Sequence, residues 1–365
     1  MMESSSTEKR GILKAYCLHN GEKMEAMEYK WGIIGAGRFA DNVFAPAIKK
    51  SKDSRLWAIM ARDKTKAEAF AKKHGAPKFY DAAEALCNDP EIDVVYIASP
   101  TFLHCEHAVL AAQCGKPILC EKPMASTLEE CDQMISAAKE HKVTLMIGHN
   151  MRFHKIHQKV KEMIADGRVG TVGIARAEII TSFKKNQGDK FTTDQFRLNR
   201  AIGGGGVLFD MGIHAVDVLR YILEDDIKEV SAFSQNLFID CNGEDTLSAV
   251  LKFKNGAHGA IATSGALPYA KNGVEIYGDK GAITTDGSVW ISVRSADFKV
   301  LANDKWETHT AEVNNCYLAE IEHFLQCVAG KSTPAVSGHE AKKNVRVVLA
   351  AYRSADEGRS ILIEE

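Results

Sequence analysis

The chain has 365 residues, of which 45% are hydrophobic and 26% charged, and its formal net charge at pH 7 is -2. This composition indicates a globular protein long enough for two domains, and 46 Lys and Arg against 48 Asp and Glu leave no basic excess to bind nucleic acid. No segment reaches the about 18–20 apolar residues of a membrane helix.

Residues 1–28 form a polar N-terminal extension without the apolar core of a signal peptide, so we predict that the protein is not exported. The cysteines are scattered, odd in number and free of C-x-x-C spacing, which indicates reduced thiols in a cytoplasmic protein and no metal site. They are Cys17, Cys87, Cys105, Cys114, Cys120, Cys131, Cys241, Cys316 and Cys327.

Residues 29–150 alternate apolar strands with amphipathic helices, which is typical of a doubly wound α/β domain with a parallel sheet. The predicted strands are Tyr29–Ile34, Arg55–Ala61, Val94–Ala98, Pro117–Cys120 and Val143–Ile147. The predicted helices are Phe39–Ser51, Lys64–His74, Ala82–Asn88, Leu103–Cys114 and Leu128–His141.

A dinucleotide-binding fingerprint follows the first strand, in the sequence Gly35-Ala36-Gly37-Arg38-Phe39-Ala40. Its first glycine permits a tight turn, its second lets the backbone approach a pyrophosphate, and the alanine allows close packing of helix on strand. The strand before it and the helix after it are the context that this motif requires. We therefore predict a dinucleotide site here rather than a plain structural turn.

Three further positions are expected near the dinucleotide. Arg62 follows the second strand and favours NADP, whereas Asp63 would bind a ribose hydroxyl of NAD or simply cap the next helix. Ser99-Pro100 stands at the carboxyl edge of the sheet, where such folds bind ligands. His104 follows it, either facing the nicotinamide or lying on the helix surface.

The strand that ends at Cys120 continues into Glu121-Lys122-Pro123. We predict that Glu121 and Lys122 face the dinucleotide cleft and that Lys122 polarises or deprotonates a substrate hydroxyl. The other interpretation of Lys122 is a surface lysine in a turn that Pro123 ends.

After a bridging helix at Phe153–Asp166, residues 151–365 are rich in strands joined by short turns, which indicates an α+β domain with an open, mostly antiparallel sheet. The predicted strands are Gly173–Phe183, Val230–Ile239, Leu247–Phe253, Ala257–Thr263, Gly273–Tyr277 and Ala282–Thr285. Two helices, Tyr317–Ala329 and His339–Glu357, follow, and the last could lie back on the first domain.

Four glycines, Gly203–Gly206, allow a close backbone approach and lead into a predicted helix. On this helix Asp210, His214 and Asp217 have the spacing i, i+4 and i+7 and are expected on one face. A carboxylate beside a histidine suits an imidazole that exchanges protons. A metal site at Asp210 and His214 lacks a third ligand of regular spacing, and a buried structural pair is the remaining alternative.

These motifs, in this order, resemble the glucose-fructose oxidoreductase/inositol dehydrogenase family, often called Gfo/Idh/MocA. The resemblance runs from Tyr29 to the C-terminus, where Tyr317–Phe324 and Ser354–Gly358 are similar to the family's ending. The N-terminal extension lies outside the family pattern.

The resemblance implies that Lys122, Asp210 and His214 form a catalytic trio beside the nicotinamide. It also implies a carbohydrate-like substrate and a homodimer or homotetramer formed through the C-terminal sheet. Arg197 stands where many members have an aromatic-Arg pair and is a candidate substrate contact, although Phe196 replaces the frequent Trp. Some members use a bound nicotinamide for transient oxidation during glycoside cleavage, so that function is the alternative. A sensor without catalysis is disfavoured by the intact trio.

Overall fold

The computed structural model describes residues 28–188, 196–200, 204–290 and 297–364. The extension at 1–27, with Cys17, lies outside the described residues, and so does Gly203. No helix in these four ranges is long and apolar enough to cross a membrane.

The first sheet is parallel, has six strands and follows the order β3-β2-β1-β4-β5-β6. This confirms the doubly wound fold, in which the strand order reverses beside β1 and opens a crevice at the carboxyl edge. The strands are β1 (Tyr29–Ile34), β2 (Ser54–Met60), β3 (Lys78–Tyr80), β4 (Val94–Ile97), β5 (Ile118–Glu121) and β6 (Leu145–Gly148). The sequence prediction missed β3, whose three residues are too few to show a periodic pattern.

Helices cover this sheet, and local signals set their ends. Asp63 caps α2 by accepting from the Lys66 amide, and Gly75 ends that helix with a φ of 76°. Thr127 and Glu130 form a capping box at the start of α5. A π-helical turn, Ala40–Phe44, precedes α1 (Ala45–Lys50), and the other helices are α2 (Lys64–His74), α3 (Ala83–Cys87), α4 (His104–Gln113) and α5 (Leu128–Glu140).

The second sheet has nine strands in the order β14-β13-β12-β11-β7-β10-β9-β8-β15. Its pairs are antiparallel except β7 with β10, which confirms the open, mostly antiparallel sheet. The strands are β7 (Val172–Ile180), β8 (Ile227–Gln235), β9 (Thr246–Phe253), β10 (His258–Ser264), β11 (Val274–Gly278), β12 (Gly281–Thr285), β13 (Asp297–Ala302), β14 (Lys305–Thr310) and β15 (Ile361–Leu362).

The last three of these strands were absent from the sequence prediction. Strand β14 exposes nearly every side chain and so lacks apolar alternation, while β15 has only two residues. Strand β13 does alternate, with Phe298 and Val300 buried, and its pattern was overlooked. The predicted strand Gly173–Phe183 is too long, because Ser182 already caps the next helix.

The remaining helices are α6 (Lys155–Ala165), α7 (Phe183–Gln187), α8 (Ile213–Leu223), α9 (Cys316–Val328) and α10 (Gly338–Glu357), with a π-helical turn at Leu208–Gly212 before α8. Helix α10 packs against β8 of the second sheet and also against α5 and β6 of the first. Helix α9 packs on α1, where Phe324 lies beside Trp31. Helix α10 therefore packs on elements of both domains, and α9 packs on the first.

Candidate active site

A cleft of about 1730 Å³ opens at the carboxyl edge of the first sheet and continues to the second sheet. Every predicted site residue lines it. From the first domain these are Gly35, Ala36, Gly37, Arg38, Phe39, Arg62, Ser99, Pro100, His104, Glu121 and Lys122, and from the second Arg197, Asp210 and His214.

The fingerprint loop has the shape that a dinucleotide requires. Gly35 has a φ of +114°, and a Cβ there would lie 2.6 Å from the Ala98 carbonyl oxygen, so only glycine fits. Gly37 lines the cleft, and a Cβ on it would meet no protein atom within 4 Å. The space over Gly37 therefore belongs to the cleft, and the helix that follows begins there, so a pyrophosphate fits this loop.

At the ribose end of the cleft, Arg62 is exposed. The Asp63 carboxylate accepts a hydrogen bond from the Lys66 amide at 3.2 Å. Of the two interpretations of Asp63, helix capping is the one seen in the structure, and the cationic residues Arg62 and Lys66 both line this end of the cleft.

His104 is buried, so its assignment to the helix surface was wrong. Its Nδ1 lies 2.9 Å from the Pro123 carbonyl oxygen and its Nε2 2.9 Å from the Ser99 carbonyl oxygen. Burial lowers its pKa to about 4, so at neutral pH a neutral ring donates to one of these carbonyls. His104 thus connects the loop after β4 to the turn after β5.

The structure brings Lys122, Asp210 and Arg197 together. Lys122 Nζ donates to the Asp210 main-chain carbonyl at 2.6 Å and lies 3.7 Å from Asp210 Oδ1. Arg197 Nε donates to the same Oδ1 at 3.2 Å. Two cations from different domains therefore share one carboxylate at the end of the cleft.

Glu121, next to Lys122, lines the cleft and binds a residue of the sheet below it. Its Oε1 accepts from the buried Tyr96 hydroxyl at 2.6 Å. Burial raises the pKa of the Glu121 carboxyl, and the Lys122 charge opposes that rise. The carboxyl anchors the turn after β5 to β4.

His214 lines the cleft but is 7% exposed, and its Nδ1 has no hydrogen-bond partner among the described residues. Burial, reinforced by the Lys122 charge, lowers the pKa of this imidazole well below its usual range. At neutral pH the His214 ring is therefore uncharged. The carboxylate of Asp210 contacts Lys122 and Arg197, so the expected carboxylate-histidine pair is not what the side chains form.

The expected common face of Asp210, His214 and Asp217 is broken by the π-helical turn, which changes the helical period before α8. Asp217 is 1% exposed and is absent from the cleft lining. It accepts a bifurcated hydrogen bond from Arg152 Nε at 3.0 Å, a second bond from Arg152 Nη2 at 2.7 Å and one from Asn344 Nδ2 at 2.7 Å. His149 Nδ1 lies 3.6 Å from it.

This buried cluster was missed from the sequence. A signal existed, because His149 and Arg152 come directly after β6 at the carboxyl edge of the sheet, where polar residues gather around ligands. Asn344, on the last helix, has no local signal. The cluster lies behind His214, whose ring centroid is 6.3 Å from that of His149.

Buried imidazoles should make the protein sensitive to mild acid. Burial lowers the pKa of His104, His149 and His157 to about 4 and that of His154 to about 3. In the unfolded chain these histidines bind protons below about pH 6.5, whereas in the folded protein they stay neutral. Their contribution to the free energy of unfolding is therefore complete above that pH and is lost as the pH falls toward 4. We expect the free energy of unfolding in urea to fall between pH 7 and 5, by about 2 kcal/mol per histidine at most.

The control is His157→Gln, which removes one of these groups and should flatten the dependence in proportion. A free energy of unfolding that stays constant between pH 7 and 5 would contradict the prediction.

Comparison with known proteins places the chain in a family. Residues 29–149 match the model of the GFO/IDH/MocA oxidoreductase family with an NAD-binding Rossmann fold, and residues 157–284 match the GFO/IDH/MocA C-terminal domain. Among similar proteins, myo-inositol 2-dehydrogenase from Thermotoga maritima is 32% identical, covering 92% of this chain and 98% of its own. 1,5-anhydro-D-fructose reductase from Ensifer adhaerens is 29% identical with the same coverage.

Solved structures agree with this placement. Aldose-aldose oxidoreductase from Caulobacter crescentus, in complex with glycerol, superposes with a TM-score of 0.84 at 26% identity, over 92% of this chain and 99% of that one. The chain matches two models of one family in the expected order, and it shares its fold with that oxidoreductase over nearly its whole length. A relative that is 32% identical over 92% of the chain agrees with these matches. The chain is a member of the GFO/IDH/MocA family of nicotinamide-dependent oxidoreductases.

Proposed function

We propose that this protein transfers a hydride between NAD or NADP and a hydroxyl-bearing ring carbon of a sugar, cyclitol or related polyol. Residues 29–150 would bind the dinucleotide, and residues 151–365 would complete the substrate site. The observation that carries the proposal is the single cleft that runs from the fingerprint loop to Lys122, Asp210 and His214.

The substrate end of the cleft suits a polyhydroxylated ring. Ile179, Phe183 and Trp290 offer apolar surface there, while Thr181, Asn186 and Arg197 offer hydrogen-bonding groups. A sugar ring has an apolar face of C–H groups and a rim of hydroxyls, so it needs both kinds of contact.

A bound nicotinamide supplies a hydride acceptor at its C4. The chain's own residues would handle the proton and the orientation of the substrate. Lys122 would donate a hydrogen bond to the reacting oxygen and stabilise its developing negative charge. The neutral His214 would accept the hydroxyl proton. Asp210, which fixes Lys122 and Arg197, would keep both donors directed at the substrate.

A substrate screen tests this proposal. Purified protein would be given cyclitols, aldoses and glycosides with each nicotinamide, and both cofactor absorbance and product mass would be followed. We expect reduced nicotinamide and a product two mass units lighter than the polyol, as loss of two hydrogens requires. Absence of hydride transfer with every member of the panel, in both directions, would contradict the proposal.

Arg62 favours NADP over NAD, since a guanidinium pairs with a 2′-phosphate. Changing Arg62 to Ala should therefore raise the Kd for NADP about tenfold or more, and that for NAD much less. Titration of the two cofactors by fluorescence measures this. Lys64→Ala, a neighbouring exposed cation outside the cleft lining, is the matched control. Equal weakening of both cofactors by Arg62→Ala would remove the basis for this preference.

We also propose a homodimer or homotetramer formed through the outer face of the second sheet, in a cytoplasmic protein. Phe233 is 80% exposed and Val250 60% exposed on adjacent strands of this sheet, and apolar surface of this kind is usually covered in an assembly. The eight described cysteines are all free thiols, which suits a reducing compartment. Light scattering should give a multiple of the 40.0 kDa chain mass.

A further inference from the structure

The glycine run before α8 passes beneath two buried side chains of the protein. A Cβ on Gly205 would lie 2.2 Å from the Tyr352 hydroxyl, and a Cβ on Gly206 would lie 2.3 Å from the Glu244 carbonyl oxygen. Gly204 has a φ of +83°, which also favours glycine. The close backbone approach expected from the sequence is therefore, at these residues, an approach to Tyr352 and Glu244.

Tyr352 and Glu244 satisfy the backbone amides that begin the π-helical turn. Glu244 Oε1 accepts from the Leu208 amide at 2.8 Å, and its Oε2 accepts from the Gly206 amide at 3.0 Å. The Tyr352 hydroxyl accepts from the Gly206 and Phe209 amides at 3.0 and 3.1 Å and donates to Glu244 Oε1 at 2.9 Å. The hydroxyl thereby uses its one donor and both lone pairs.

The turn held in this way carries the reactive end of the cleft. Its Asp210 supplies the main-chain carbonyl that receives Lys122 and the carboxylate that receives Arg197. Helix α8, which follows directly, carries His214.

The segment that bears Arg197 is tied to the same pair. The Gly243 amide, next to Glu244, donates to the Leu198 carbonyl at 2.7 Å. The Arg200 guanidinium lies 4.9 Å from the centre of the Tyr352 ring. Glu244, its neighbour Gly243 and Tyr352 therefore contact both the turn that carries Asp210 and the segment 196–200 that carries Arg197.

We propose that Glu244 and Tyr352 are positioning residues for the reaction, acting through the backbone of residues 206–210. They are buried, at 7% and 3% exposure, and neither lines the cleft, so their effect must pass through the turn. A carboxylate at the start of a helix is stabilised by the amides directed at it, and here it also fixes where those amides stand. This inference rests on the proposed hydride transfer.

The test compares Tyr352→Phe and Glu244→Gln with the wild type. Each replacement nearly keeps the side-chain shape. Tyr352→Phe leaves the Phe209 amide without its acceptor, and Glu244→Gln turns an NH2 group toward one of the two backbone amides that the carboxylate accepts from. A shift of the turn by a fraction of an ångström should lower kcat about 10–100-fold. The Kd for the nicotinamide should stay within about twofold, because the fingerprint loop is untouched. The pH profile of kcat should shift, because a moved turn changes the distance between the Lys122 charge and His214, whose pKa is lowered by burial and by that charge.

The chain offers a matched control in a second Tyr-Glu pair. Tyr277 donates to Glu275 at 3.0 Å on strand β11, and neither residue lines the catalytic cleft. Tyr277→Phe and Glu275→Gln should leave kcat and its pH profile unchanged. Glu244→Asp, which retains the charge, should recover part of the turnover lost in Glu244→Gln.

Amide hydrogen exchange gives a readout that does not depend on the substrate. The Phe209 amide in Tyr352→Phe, and the Leu208 or Gly206 amide that faces the new side-chain NH2 in Glu244→Gln, should exchange at least tenfold faster, with α10 amides unchanged. Wild-type kcat and wild-type exchange in both variants would overturn the inference. Loss of turnover accompanied by an equal loss of nicotinamide binding and of protection throughout the second domain would also overturn it, since that is the result of general unfolding. If the wild type transferred hydride to no polyol, the proposed function would fail, while the exchange result would still show whether Glu244 and Tyr352 hold the turn.

Discussion

Replacing Lys122 with Met or His214 with Asn should lower kcat by about 10²–10⁴-fold, the usual range for a positioned acid or base. Lys122 reaches across the cleft to the Asp210 carbonyl, and His214 is a neutral, buried imidazole at the same end. If both act on one substrate oxygen, the double variant should lose less than the product of the two single losses. Steady-state kinetics of the three variants measures this.

The Kd for the nicotinamide is the control quantity, because the fingerprint loop that holds the dinucleotide is untouched. It should change little in all three variants. Lys116, which lies just before β5, is half-buried and donates to the Asp89 and Ile92 carbonyls, so Lys116→Met is a matched replacement outside the cleft. Near-normal turnover of Lys122→Met or His214→Asn would refute the assignment of that residue and revive its structural interpretation.

Replacing Arg152 with Met should lower the free energy of unfolding by about 3–5 kcal/mol, because a carboxylate is left buried without its main partner. Although burial opposes ionisation, Arg152, His149 and the hydrogen bonds from Arg152 and Asn344 hold the pKa of Asp217 below its usual range. The stability due to this lowered pKa is present above the unfolded value of about 4 and is lost as the pH falls below it. Urea unfolding at pH 7 measures the loss.

Two further variants separate the buried charge from the packing. Adding Asp217→Asn to Arg152→Met removes the charge, so the pair should be more stable than Arg152→Met alone. Arg176→Met, at an exposed guanidinium 3.8 Å from Glu275, should change the stability little. Equal destabilisation by the single and the double replacement would show that Arg152 matters for packing alone.

Most of the first domain could be predicted because β1, β4, β5 and β6 are buried on both faces and helices α2 and α5 carry side-chain caps. Strand β1 and the fingerprint lie where their residues indicated, since Gly35 and Gly37 each meet a local backbone requirement. The second sheet was harder. Strands β14 and β15 are identified by their pairing with β13 and β8, which are partners that no local pattern reveals.

The reactive end of the cleft shows the same division. Lys122 could be identified because it directly follows strand β5, and His214 because it lies in the first turn of helix α8. The partners of Asp210 could not, because a π-helical turn inserts a residue that an ideal helical period omits. Tyr352 and Glu244 lie 108 residues apart and meet only through tertiary packing. Their sequence trace was the glycine run, which showed that something approaches the backbone without showing what.

The lysine of the reactive end is held by a main-chain oxygen rather than by a side chain alone. Every amino acid at position 210 carries that oxygen, so the location of the ammonium group and the identity of residue 210 are separable. A replacement of Asp210 would therefore remove the carboxylate that Arg197 and Lys122 share but leave the main-chain acceptor of Lys122 in place. Moving the ammonium group would instead require a change in the course of the backbone through the turn at Leu208–Gly212.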